Sequence, residues 1–167
     1  GATDLYGVEE HFGDLAAYRR LVDDAHALGM KVVMDMVANH TGPEHVWAQD
    51  PPTPSWYAGS LAQHLPNNWR MDALADPYGA KAVQDSTLYG WFAGILPDFD
   101  QRDPEVERYL IRNTLWWAGM TGIDAIRQDT WVYAPRTFWR PWMAAIKREY
   151  PRMTVVGEVL HEDPTVV

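Results

Sequence analysis

The sequence contains no cysteine. Disulfides, thiolate nucleophiles and cysteine-ligated zinc are therefore excluded. Positive charge is also scarce: 14 Lys and Arg stand against 23 Asp and Glu, a formal net charge of −9 at pH 7. Nucleic acid and anionic membrane surfaces both call for a basic patch, so neither fits as a partner. Nor is there an apolar run approaching the roughly 18–20 residues of a membrane span. What is abundant is aromatic, with 9 Trp and 8 Tyr in 167 residues. Flat rings with a polar edge stack well on sugar faces, which makes carbohydrate the first ligand class to consider. Trp116, Trp117, Trp139 and Trp142 fall at helical spacing and read more plainly as core. Functional interest belongs to the aromatics in loops.

Helix and strand patterns alternate along the chain. Leu15, Tyr18, Leu21, Val22, Ala25 and Leu28 mark a helix from Asp14 to Leu28, with Gly29 placed to end it. Residues 31–37 form a continuous apolar run, the pattern of a strand buried on both faces. Residues 41–97 carry seven prolines and no long periodic segment, and read as an irregular excursion. Order resumes at Asp103-Pro104, a cap followed by proline in the first helical position, and that helix runs to about Met120. Residues 123–127 read as a second strand, residues 137–150 as a helix with Pro141 in its first turn, and residues 153–157 as a third strand. Such alternation predicts an α/β fold with a parallel sheet, either open or closed into a barrel.

The chemistry gathers where these strands end. Asp35, Asn39 and His40 lie at the first, Arg127 and Asp129 at the second, Glu158 at the third. One buried carboxylate can be a satisfied structural group. Three such endings in one register are costly to a plain core, because each unpaired buried charge costs several kcal/mol. In a parallel barrel they would converge on the face where catalytic residues gather.

These segments resemble the alpha-amylase family, glycoside hydrolase family 13. Asp35-Met36-Val37-Ala38-Asn39-His40 resembles its first conserved segment, residues 122–130 its second, and Val156-Gly157-Glu158-Val159 its third. Leu96-Pro97-Asp98-Phe99-Asp100 is similar to the short segment near the end of the protruding domain B. The resemblance covers essentially the whole chain. It implies a partial TIM (β/α)8 barrel holding about strands 3 to 5. Residues 1–40 and 101–167 would be barrel segments and residues 41–100 a domain B-like insertion. It also implies a retaining glycosidase with Asp129 as nucleophile and Glu158 as general acid/base, the two carboxyls roughly 5–5.5 Å apart with proton affinities set apart by their surroundings. Arg127 would keep the nucleophile ionised, His40 would hydrogen-bond the sugar, and Asp35 would orient Arg127.

The departures point to a subgroup. Where the common amylase segment carries Lys and His after the nucleophile, this chain has Thr130-Trp131-Val132-Tyr133, so Trp131 and Tyr133 would offer stacking surfaces instead. That places the chain on the cyclomaltodextrinase and neopullulanase side. Gln128 stands at a place usually apolar and implies a polar contact beside the site. The resemblance implies no cofactor beyond a structural calcium, for which Asn39 and Asp98 would supply two of the roughly six to eight oxygen ligands. His161, Glu162 and Asp163 form a charged trio that reads as a solvated loop, without zinc-like spacing.

A complete barrel takes eight strand–helix units, and only about three are legible here. The first two strands and the family's third catalytic carboxylate have no counterpart. The expectation is an internal fragment, inactive alone, of an enzyme that cuts alpha-1,4-glucosidic bonds in maltooligosaccharides, cyclodextrins or starch. Two other readings stand beside it: a transglycosylase of the same family, and a non-catalytic carbohydrate-binding relative. Retention of both Asp129 and Glu158 weighs against the last.

Overall fold

The computed structural model describes residues 1–162. Helix α1 (Leu15–Ala27) starts where Asp14 accepts the Ala17 N–H at 2.7 Å. Strand β1 (Val33–Met36) follows, and the chain returns to the sheet only after helix α4 (Pro104–Thr121). Asp103 caps α4 by accepting the Glu105 N–H at 2.8 Å, and Gly122 ends it in the left-handed conformation (φ 74°) that favours glycine. Strand β2 (Ala125–Gln128), helix α5 (Arg136–Glu149) and strand β3 (Thr154–Gly157) complete the pattern. The strands are parallel in the order β1-β2-β3, with Asp35 opposite Arg127 and Arg127 opposite Val156. The chain is thus an α/β unit on a parallel sheet, as the alternation predicts.

The helices cover one face of that sheet. Val22 of α1, Val106 and Leu110 of α4, and Phe138, Trp142 and Ile146 of α5 form one buried cluster with Ile126 of β2. The Trp142 indole N–H donates to Thr114 Oγ1 at 2.9 Å and so ties α5 to α4. The other face carries Val33, Asp35, Arg127, Thr154 and Val156, most of them exposed. Burial on both faces, expected from the unbroken apolar runs, is therefore met on one face only. The second face has no layer over it among the described residues.

At the opposite end of the strands from the acidic cluster, Asp124 knits three segments together. Its carboxylate accepts the Val32 N–H at 2.9 Å and the Lys31 ammonium at 2.9 Å, and lies 2.7 Å from His26 Nε2 at the end of α1.

Two further expectations need correction. Pro141 lies inside α5, five residues past its first position, rather than in the first turn. An interior proline costs about 3 kcal/mol. Five buried side chains of the same helix, Phe138, Trp139, Trp142, Ala145 and Ile146, outweigh that, since a large apolar side chain contributes roughly 1.5–3 kcal/mol on burial. The excursion also holds two short helices, α2 (Met71–Ala75) and α3 (Lys81–Tyr89). Their periodic stretches are too short to stand out in sequence. The excursion is pinned to the sheet by the Phe99 N–H donating to Asn39 O at 2.8 Å and the Thr41 N–H donating to Pro97 O at 3.0 Å.

Candidate active site

Arg127 organises the acidic cluster. Its Nη1 donates to both oxygens of Asp35 at 2.7 Å and to Asp129 Oδ1 at 2.8 Å, while Nη2 lies 2.6 Å from Glu158 Oε1. Three strands thus deliver three carboxylates to one guanidinium. This follows from the register: Asp35 and Arg127 are paired, and Asp129 and Glu158 are the residues just past the ends of β2 and β3. Their backbones continue the ladder, Asp129 N–H donating to Met36 O and Glu158 N–H to Gln128 O.

The second oxygen of Glu158 accepts the Thr130 N–H at 3.0 Å. Thr130 holds a left-handed conformation (φ 50°), unusual for a β-branched residue and a mark of local strain. Gln128 is fully buried, and its amide donates to Asp129 O at 3.2 Å, which is the polar contact expected beside the site.

The two carboxyls sit in different surroundings. Burial and the neighbouring Glu158 charge raise the proton affinity of Asp129, and these outweigh Arg127. Glu158 is held below the usual carboxylate range by the Thr130 N–H, with Asp129 and Arg127 adding to it.

The remaining residues divide between two places. Tyr133 joins Glu158, Trp69, Phe92, His161 and Glu162 around an open cleft of about 650 Å³. His161 and Glu162, expected in a solvated loop, thus border the site, while Asp163 lies outside the described residues. Trp131 is turned away from this cleft. Its ring stacks on Trp139 with centroids 4.1 Å apart and packs closely over Gly157, so the expected stacking surface is occupied by protein. His40 is 6% exposed and stacks on Phe92, a residue lining the cleft; burial lowers its pKa to about 4, leaving a neutral ring at neutral pH. Trp69 and Phe92 escaped the sequence reading. The usable signal was the preference for loop aromatics, since Trp69 follows Asn67-Asn68 and Phe92 lies between Gly90 and Gly94.

Asn39 and Asp98 meet inside the protein, the Asn39 amide donating to Asp98 Oδ2 at 2.6 Å. The Asn39 carbonyl oxygen and the second Asp98 oxygen, Oδ1 in both cases, are buried without a hydrogen-bond partner among the described residues. Burial raises the proton affinity of Asp98 well above the ordinary carboxylate value. Unpaired hard oxygens of this kind suit a cation such as calcium. Among the described residues no group of three or more His, Cys, Asp or Glu is placed to hold a metal, so backbone or water oxygens would have to complete the shell.

Comparison with known proteins gives a consistent picture. The model of the alpha amylase catalytic domain matches residues 2–167. Neopullulanase 2 of Thermoactinomyces vulgaris is 30% identical over 163 residues, covering 96% of this chain and 26% of that protein. The intracellular maltogenic amylase of Bacillus subtilis (strain 168) is 27% identical over 161 residues, covering 95% and 25%. Among solved structures, an Anoxybacillus alpha-amylase superposes with a TM-score of 0.81 at 37% identity, over 97% of this chain and 32% of that one. The chain spans about a quarter of the length of the curated relatives it matches.

Proposed function

Because the chain belongs to the alpha-amylase catalytic-domain family, we propose that the protein carrying it is a retaining glycoside hydrolase acting on alpha-1,4-glucosidic bonds of maltooligosaccharides, cyclodextrins or starch. The observation that carries this reading is the convergence of Asp35, Asp129 and Glu158 on Arg127 at the ends of three parallel strands. The similarity to neopullulanase and maltogenic amylase supports the choice of alpha-glucans. Residues 1–40 and 101–167 would form strands 3 to 5 of a TIM barrel with their helices, and residues 41–100 a domain B-like insertion. Closure by further strands would cover the exposed face of the sheet, which carries Val33 and Val156.

In the first chemical step Asp129 attacks the anomeric carbon, forming a carbon–oxygen bond as the glycosidic bond breaks, and Glu158 gives its proton to the departing oxygen. In the second, water attacks the same carbon, returns a proton to Glu158 and frees Asp129. A sugar in the cleft displaces water from Glu158 and raises its proton affinity, while Arg127 stays on the nucleophile. His40 would hydrogen-bond the sugar, and Asp35 holds Arg127 in place. Asn39 and Asp98 would hold a structural calcium through their unpaired oxygens, stiffening the junction between β1 and the insertion.

The test is hydrolysis of beta-cyclodextrin, maltotriose and soluble starch by the intact protein, alongside Asp129→Asn. Turnover abolished by the substitution supports the reading, and absence of turnover on all three substrates refutes it.

A further inference from the structure

We propose that Trp69 is a sugar-stacking platform on the leaving-group side of the scissile bond, and so governs how well an acceptor sugar competes with water. This rests on the hydrolase reading above.

The cleft bordered by Trp69 contains Glu158, the proposed proton donor to the departing oxygen, while Asp129, Arg127 and Asp35 lie outside its walls. A ligand filling it therefore contacts the acid side of the bond, where the leaving sugar departs and an incoming acceptor binds. Trp69 remains 48% exposed beside a carboxylate, although it is one of the largest apolar side chains in the chain. Its indole packs perpendicular to Phe92 (4.5 Å between centroids) and to Tyr133 (5.7 Å), which fixes its plane.

The backbone beneath it is built to hold it there. Trp69 has φ 60°, a conformation that a bulky residue adopts only when its surroundings impose it. Its N–H donates to Asn67 Oδ1 at 2.8 Å, and the Asn67 amide donates to Thr87 O at 2.9 Å. Asn68 donates to Val83 O at 3.0 Å and accepts the Arg70 N–H at the same distance. Both asparagines thus anchor the loop to α3. An aromatic ring on a loop this well fastened loses little freedom on binding, which favours a stacking ligand. A ring-faced acceptor seated there excludes water from the glycosyl–Asp129 carbon and presents a sugar hydroxyl. That hydroxyl bonds to the anomeric carbon as Asp129 leaves, and its proton passes to Glu158.

The experiment compares maltotriose with α-maltosyl fluoride in the intact protein. Fluoride departs as the Asp129–carbon bond forms, without a leaving sugar, so this donor reaches the intermediate without the platform. Trp69→Ala is expected to lower kcat/KM on maltotriose about tenfold more than on the fluoride. It should also reduce the share of fluoride donor transferred to added maltose about tenfold, and Trp69→Tyr should restore most of both. Equal losses on the two donors, or an unchanged transfer share, would overturn the proposal while leaving the hydrolase reading intact. If the unsubstituted protein turns over neither donor, the hydrolase reading itself fails and the platform falls with it.

Discussion

Arg127 stands directly opposite Asp35 in the β1–β2 register, and its Nη1 lies 2.7 Å from both oxygens of that carboxylate. The same guanidinium reaches Asp129 and Glu158, so three carboxyl groups share one cation. Only a planar fork with several donors can do this; an ammonium is a point charge and cannot span the set. Arg127→Lys is expected to lower kcat/KM on the order of 100-fold. Asp35 is 60% exposed, so the Asp35–Arg127 pair contributes little to folding. Asp35→Asn should shift stability by less than about 1 kcal/mol, measured by denaturant unfolding, while still lowering activity.

The two strand-end carboxylates have distinguishable chemical duties. Glu158→Gln removes proton donation and should cost about 10²–10⁴-fold on maltotriose. Much less should be lost on α-maltosyl fluoride, whose leaving group needs no proton in the first step. Asp129→Asn removes the nucleophile and should abolish turnover of both donors. A Glu158→Gln protein equally impaired on the two donors would disprove the division of roles.

Asp124 sets a pH dependence of stability. The Val32 N–H, Lys31 and His26 hold its carboxyl below the ordinary value. A carboxylate whose affinity for protons falls on folding stabilises the native state above its unfolded pKa of about 3.9, and that contribution is lost as pH falls through the folded value. Asp124→Asn should therefore destabilise by about 1–2 kcal/mol near neutral pH. The gap between variant and parent should narrow as pH falls below about 3.9 and close only once the pH has passed the lowered folded value, as urea unfolding across an acid pH series would report.

The orphaned oxygens of Asn39 and Asp98 predict a calcium effect. Calcium at about a hundredfold over its Kd should add about 2.7 kcal/mol of stability, visible as a raised Tm that a chelator reverses. Asp98→Ala should remove the response, and Asn39→Ala should weaken it. A Tm indifferent to both calcium and chelator would show that the pair is a structural contact alone.

Local signals carried much of this architecture. The Asp103 cap with Pro104, the Gly29 stop, helical spacing and the apolar runs placed three helices and three strands within a few residues. The strand-end acids were legible because parallel strands send their C-terminal ends to one side. What could not be read was set by tertiary contact. Trp131 and Tyr133 lie two residues apart and have similar chemistry, yet Trp131 stacks on Trp139 while Tyr133 borders the cleft. Nothing in a one-dimensional pattern separates them. The lowered proton affinity of Glu158 likewise depends on the Thr130 N–H, a contact made at the left-handed turn at residue 130. Trp69 owes its position to hydrogen bonds with α3, a helix too short to announce itself.

Gly157 precedes Glu158 and lies under Trp131. A Cβ placed there would sit 2.5 Å from Trp131 Cγ and 2.7 Å from Cδ2, closer than atoms tolerate. Trp131 cannot yield easily, because Trp139 stacks on it and donates its indole N–H to Trp131 O at 2.8 Å. The strain must therefore pass into β3 and displace Glu158, which is the next residue. Gly157→Ala should destabilise the protein by about 1–3 kcal/mol, as overpacking does. It should also lower kcat on maltotriose, since the proton donor is displaced. Pairing it with Trp131→Ala relieves the clash, and a double variant that regains both stability and kcat would trace the loss to this one contact.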